Sequence, residues 1–201
     1  MWIDYQRSFF RLSQLQIIAL TAYLEARAEG RRGMTAVINV IHNRRLHPIR
    51  RFGDSDILGE TKFPYHSVCL KKWQFSCYNL GDPNRGIGLR LSNPTTFTAE
   101  LPNNLSLRTA MEICDVLRRG ALVDITGGAD HYWSIHIPNP SWSTGMLYRT
   151  TIGNHEFWSE PPHYFESPQR YHPEMAWVVP APIPPRELLT IGVGGLIITG
   201  T

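Results

Sequence analysis

Two glutamates stand four residues apart in "YLEARAEG", Glu25 and Glu29, with Arg27 between them and Tyr23 just before. Four residues is one helical turn, so both carboxylates fall on one side of a helix. A carboxyl on such a helix either belongs to a solvated stripe or serves as an acid and base in bond cleavage. The row leading to Glu25 is apolar, through Ile18 and Ala22. Apolar surroundings disfavour the charged carboxylate, which is what a general acid working near neutral pH requires. Glu29 lies closer to the "GRRG" break, in a position expected to be wetter and suited to holding Arg27 or Arg32 or orienting substrate.

The other residues capable of binding chemistry are aromatic rings and amides. Trp73, Tyr78, Trp133 and Trp142 could stack on sugar faces, with Tyr132 beside Trp133. Asn39, Asn43, Gln74 and Asn154 could bond hydroxyl and N-acetyl groups. Core packing accounts for the same tryptophans, because Trp is highly buried on average. Metal chemistry has a weaker basis. His131 and His136 are five apart, with Cys69, Cys77, His155 and His163 scattered, and neither an HExxH nor a CxxC spacing occurs. No metal and no cofactor is expected. Cys69 and Cys77 are not at helix-entry corners that activate a thiol, Cys114 lies on an apolar stripe, and the odd count of three argues against a disulfide scaffold, with a Cys69–Cys77 pair as the minor alternative.

These residues need elements to position them. Ser13 is a fitting N-cap for a helix over about 13–28, with Ile17, Leu20 and Leu24 as its apolar stripe. After "GRRG" a second helix is expected over about 33–46. Met34, Val37, Ile38 and Ile41 give its apolar face, and Asn39, His42 and Asn43 its polar row. A third is expected over about 106–119, capped by Ser106 and stopped by Gly120. Residues 47–104 otherwise read as irregular, with short β-prone runs in 63–82 and loop over 84–103. Residues 127–158 read as hairpins and binding loops.

The chain of 201 residues is long enough for one core. Eight of its 15 prolines fall in the last 43 residues, which sets an expected boundary at 160, with a Pro-rich tail over 161–201. A net charge of +3 is too weak to argue for nucleic acid and suits an anionic polymer. No apolar run reaches the length of a membrane span. The N-terminus, with Asp4, Arg7 and Arg11 before "IIALTAYLEA", does not read as a signal peptide.

The string "YLEARAEGRRGMTAVINVIHNRR" resembles the opening of the spore cortex-lytic, SleB/CwlJ-type cell wall hydrolase family. The matching residues are Tyr23, Glu25, Ala26, Arg27, Glu29, Gly33, Ala36, Val37, Asn43 and Arg44. Phe63-Pro64 with Val68, Gln74-Phe75-Ser76, "ADHYW" (129–133), Trp142 and "IGNHEFW" (152–158) continue the resemblance in order, over about residues 20–158. It implies an α+β, predominantly helical, lysozyme-like or lytic-transglycosylase-like domain with a short β element. It implies cleavage of the bond between N-acetylmuramic acid and N-acetylglucosamine, with Glu25 as the catalytic residue. The substrate-binding set it implies is Tyr23, Arg27, Glu29, Asn43, Gln74, Phe75, Ser76, His131, Tyr132, Trp133, Trp142, Asn154 and His155. Peptidoglycan strands are the expected partner and a monomer the expected state. The family's wall-binding repeats are not seen, so a standalone, phage-lysin-like enzyme is expected. The alternatives are a two-carboxylate muramidase and a non-catalytic wall-binding or virion protein.

Overall fold

The computed structural model describes residues 2–47, 52 and 63–161. The tail beyond 161, His163 with it, lies outside the described residues, as do 48–51 and 53–62. The helices are α1 (Trp2–Phe9), α2 (Gln14–Ala26), α3 (Gly30–Leu46), α4 (Pro64–Cys69), α5 (Arg85–Leu91), α6 (Pro94–Glu100) and α7 (Leu105–Arg118). Three strands follow: β1 (His131–Ser134), β2 (Leu147–Ile152) and β3 (His155–Ser159). The fold is α+β and predominantly helical, with a small antiparallel sheet of order β1-β3-β2.

Helix α2 starts at a capping box. Ser13 Oγ accepts from Gln16 N, and Gln16 Oε1 accepts from Ser13 N at 2.8 Å. Residues Ile17 through Leu24 are all buried, so α2 is apolar on every side rather than striped, as a central helix must be. Around it, α3 contributes Met34, Val37, Ile38 and Ile41, and α7 contributes Leu107, Ala110, Ile113 and Cys114. Each such aliphatic side chain contributes roughly 1.5–3 kcal/mol by leaving water. A smaller cluster joins Ala36 and Val40 of α3 to Ala129, Ile152 and Phe157 beneath the sheet.

Several boundaries differ from the sequence reading for identifiable reasons. Helix α2 stops at Ala26, and residues Arg27–Glu29 form a single 3-10 turn. Gly30 takes φ +65° and turns the chain, so α3 begins at 30 and "GRRG" lies within its first turn rather than breaking the helix. The stretch 84–103 is not loop. Asn93 Oδ1 accepts from Thr95 N and Thr96 N while Pro94 occupies the first helical position, a start signal for α6. The 63–82 stretch holds α4 and a 3-10 turn at Ser76–Tyr78, not strands. Asn104, rather than Ser106, caps α7, accepting from Leu107 N at 3.0 Å. Gly120 (φ +69°) ends it as expected.

The hairpin expectation for the last third holds. β2 and β3 are joined by the two-residue turn Gly153-Asn154, with Gly153 at φ +57°. Pairing of His131 with Trp158 and of Tyr132 with Phe157 divides the sheet into two faces. One carries Tyr132, His155 and Phe157. The other carries His131, Trp133 and Trp158.

Candidate active site

Glu25 occupies the last turn of α2, and its carboxylate is held from two distant parts of the chain. Oε1 accepts from Cys77 N at 2.8 Å and from Ser76 Oγ at 3.4 Å. Oε2 accepts from the Tyr132 hydroxyl at 3.0 Å. The Ser76–Tyr78 turn is fixed one helical turn earlier, where Thr21 Oγ1 meets Tyr78 OH at 2.8 Å inside the core. Tyr78 is therefore a buried anchor, not a stacking surface.

Tyr132 reaches Glu25 from the sheet, its ring stacked on Phe157 and edge-on to His155. Burial, and then the neighbouring Glu25 charge, raise its pKa well above the ordinary value, so the phenol keeps its proton and donates. Arg44 ties the pieces together. Its Nε donates to the Asp130 carbonyl at 2.6 Å, its Nη1 to the Gln74 carbonyl at 3.2 Å, and its guanidinium lies over the Phe75 ring. Burial lowers the Arg44 pKa, and Tyr132, Asp130 and Glu25 oppose that shift.

Glu29 is enclosed, contrary to the wetter position expected of it. Its Oε1 pairs with His155 Nδ1 at 2.6 Å, and its Oε2 accepts from Asn154 N at 3.4 Å. A Cβ on Gly33 or on Gly153 would collide with the Glu29 side chain, so two glycines make the room it occupies. Neither expected arginine pairs with Glu29. Arg27 donates to Asn84 Oδ1 at 2.7 Å and to the Leu24 carbonyl, and lies over the Tyr23 ring. Arg32 is exposed.

The remaining expected site residues divide sharply. Tyr23 is buried and its hydroxyl accepts from Asn104, supporting the α7 cap. Asn43 is buried, donating to the Ala129 carbonyl at 2.9 Å and to Asp124 Oδ2 at 3.0 Å, so its amide fastens the loop before β1. Asn39 does the same through Val123 and Ile125. Phe75 is buried under Arg44. Trp133, at 4% exposure, is packed against Trp158 and Trp142 and forms no open wall. Ser76 and Asn154 are exposed, Gln74 is half-buried, and Trp142 is 49% exposed with its ring beside His131.

The three cysteines are buried and unpaired. Burial pushes the Cys69 thiol up to about 12 and raises Cys77 well above its usual value, which removes a thiolate nucleophile. Among the described residues, the histidines and cysteines weighed as metal ligands are not brought together. Instead, His47, Asp130 and Glu160 place one nitrogen and two carboxylate oxygens within 4.8 Å of one another. That set could hold a divalent cation, and His47 Nε2 lies 3.8 Å from Asp130 Oδ2 and 3.7 Å from Glu160 Oε2. Asp130 further binds His131 Nδ1 at 2.6 Å and the Glu160 amide. Sequence reasoning missed this cluster because His47 lies more than 80 residues from its partners.

These features define a helix-rich α+β domain that presents a hydrogen-bonded carboxylate where the helical core meets a small sheet. The chain matches the cell wall hydrolase family over residues 28–158 and belongs to that family, whose members degrade peptidoglycan. The matched span begins three residues after Glu25, which lies outside it, and contains Ser76, Cys77 and Tyr132, which hold the Glu25 carboxylate. No curated protein and no solved structure matches the chain. Among the described residues, no helix is long and apolar enough to cross a membrane.

Proposed function

We propose that the protein is a peptidoglycan lytic transglycosylase that cleaves the MurNAc-β-1,4-GlcNAc bond with Glu25 as its single acid and base. The observation that carries this reading is the unequal treatment of the two carboxylates. Both carboxylates are partly exposed, but Glu25 is held by neutral N–H and O–H donors, whereas Glu29 is engaged by the His155 imidazole in space left by two glycines. In the proposed reaction Glu25 gives a proton to the glycosidic oxygen as the bond from C1 breaks. The muramoyl 6-hydroxyl then bonds to C1 and returns its proton to Glu25, leaving a 1,6-anhydro end. No protein nucleophile is consumed, and no water enters.

Cys77 N, Ser76 and Tyr132 aim the carboxyl, and Arg44 stabilises the loop and strand that carry them. Gln74, Ser76, Trp142 and Asn154 are the expected site residues left accessible for glycan contact. The catalytic unit is residues 1–160, acting as a monomer. Hydrolysis by two carboxylates has less support, because Glu29 already has a partner. Mass spectrometry of released muropeptides tests the reading. Products one water lighter than the hydrolysed disaccharide peptides are expected, and hydrolysed ends alone would overturn it.

A further inference from the structure

Trp73 has a backbone and an environment that do not suit a tryptophan. It is the third residue of the turn Lys71–Gln74, closed by Gln74 N donating to the Lys71 carbonyl at 3.1 Å. Its φ is +70°, and Trp73 is the one non-glycine residue with positive φ among the described residues. That position in a turn favours Gly or Asn, and a bulky side chain there is strained. Packing does not offset the strain, because Trp73 is 71% exposed. Lys72 Nζ lies over its ring, 5.1 Å from the centroid.

The turn is nevertheless firmly mounted. Before it, Cys69 and Leu70 are buried at the end of α4. After it, the Gln74 carbonyl is held by Arg44, Phe75 is buried, and Cys77 N binds Glu25. Trp73 stands four positions before Cys77, a span of at most about 14 Å of extended chain. A strained, exposed indole on a rigid loop adjoining the candidate acid is placed for a ligand, not for the fold.

We propose that Trp73 is a stacking platform for an N-acetylhexosamine ring of the glycan strand, at a subsite away from the cleaved bond. The inference rests on the peptidoglycan reading above. The electron-rich indole face accepts the polarised C–H face of a pyranose, and Lys72 beside it offers a cation to a carboxylate of the strand's peptide stems. The subsite favours long strands over short ones.

The test uses the full chain carrying Glu25→Gln, so that binding is measured without turnover, with soluble GlcNAc–MurNAc oligosaccharides as the probe. Adding Trp73→Gly removes both the ring and the backbone strain. The expected result is a melting temperature equal to or above that of the parent, together with about tenfold weaker binding of long oligosaccharides. Trp73→Tyr recovers part of the affinity. In the active background, KM on long strands rises by more than any fall in kcat. Unchanged affinity in Trp73→Gly, while the parent binds glycan, overturns the subsite and leaves the peptidoglycan reading standing. Loss of affinity only in proportion to a fall in melting temperature also overturns it. A parent that neither binds oligosaccharides nor, as wild type, releases muropeptides overturns both.

Discussion

Glu25 and Glu29 are the same residue type one helical turn apart, yet their surroundings are built on opposite lines. Glu25 receives N–H and O–H donors from the 76–77 turn and from β1, and stays partly open. Glu29 sits past the end of α2 in a compartment made by His155, Asn154 and two glycines. Neutral donors orient a carboxylate and leave its chemistry available. The short His155 contact uses the Glu29 carboxylate to join the 27–30 turn to the β2–β3 hairpin. Position along a helix therefore says little about the job of a carboxylate until the opposing surface is known.

The sharpest way to break this contrast is a matched pair of substitutions. Glu25→Gln is expected to fold normally and to lose about two to four orders of magnitude in kcat, the range a general acid supplies. Glu29→Gln should lose less activity and more stability. Equal, near-complete loss of turnover in two folded variants, with hydrolysed products, would return the muramidase reading.

Next in size is the compartment around Glu29. Gly153→Ala combines a left-handed backbone with a collision against Glu29, and about 2–5 kcal/mol of destabilisation is expected in denaturant titration. Gly120→Ala, also at positive φ but with open space around it, should cost only the conformational part, about 1–2 kcal/mol. Similar losses at both positions would mean that Glu29 is not confined.

Acid pH offers a check away from both glutamates. His66 is buried, with Nε2 3.0 Å from the Leu12 carbonyl, and burial lowers its pKa from 6.5 to about 4. A histidine with a depressed folded-state pKa contributes stability that is full above 6.5 and is lost as the pH falls toward 4. The loss amounts to at most about 3 kcal/mol. Melting temperatures across that window should fall in wild type and flatten in His66→Asn. An activity profile in acid should be compared with this curve before any limb is assigned to Glu25.

Smaller effects follow. Tyr132→Phe removes one donor from Glu25 Oε2 and should lower kcat by about tenfold with little change in KM, consistent with roughly 1.5 kcal/mol for a hydrogen bond to a charged group. A wild-type rate would remove Tyr132 from the machinery around Glu25. Chelator treatment should leave lysis of purified peptidoglycan intact. Loss restored by zinc would instead direct attention to His47, Asp130 and Glu160, and to His131, His136 and His155 for a metal-dependent amidase.

The sequence by itself determined the parts that depend on short-range pattern. The Ser13 cap, the apolar run of α2, the periodic faces of α3 and α7, the Gly120 stop and the β2–β3 hairpin turn are all local, set by spacing and by turn chemistry. The aligned motif strings likewise pointed to the cell wall hydrolase family. The short helices α5 and α6 were missed because seven residues hold too few turns for a periodic signal, although Asn93-Pro94 marked one start. Only the tertiary structure decided which polar residues face outward. Asn39 and Asn43 read as ligands for sugars because amides suit that role, but their bonds go to backbone and side chains more than 80 residues away. Trp133 reads as a stacking wall and Phe75, by the family resemblance, as a substrate contact, yet both are core. Trp73, which packing could equally have claimed, is left in solvent on a strained turn. The physical reason is the same in each case. A side chain's intrinsic chemistry is written in its identity, but its desolvation and its hydrogen-bond partners come from distant segments, and those decide whether that chemistry holds the fold or meets a substrate.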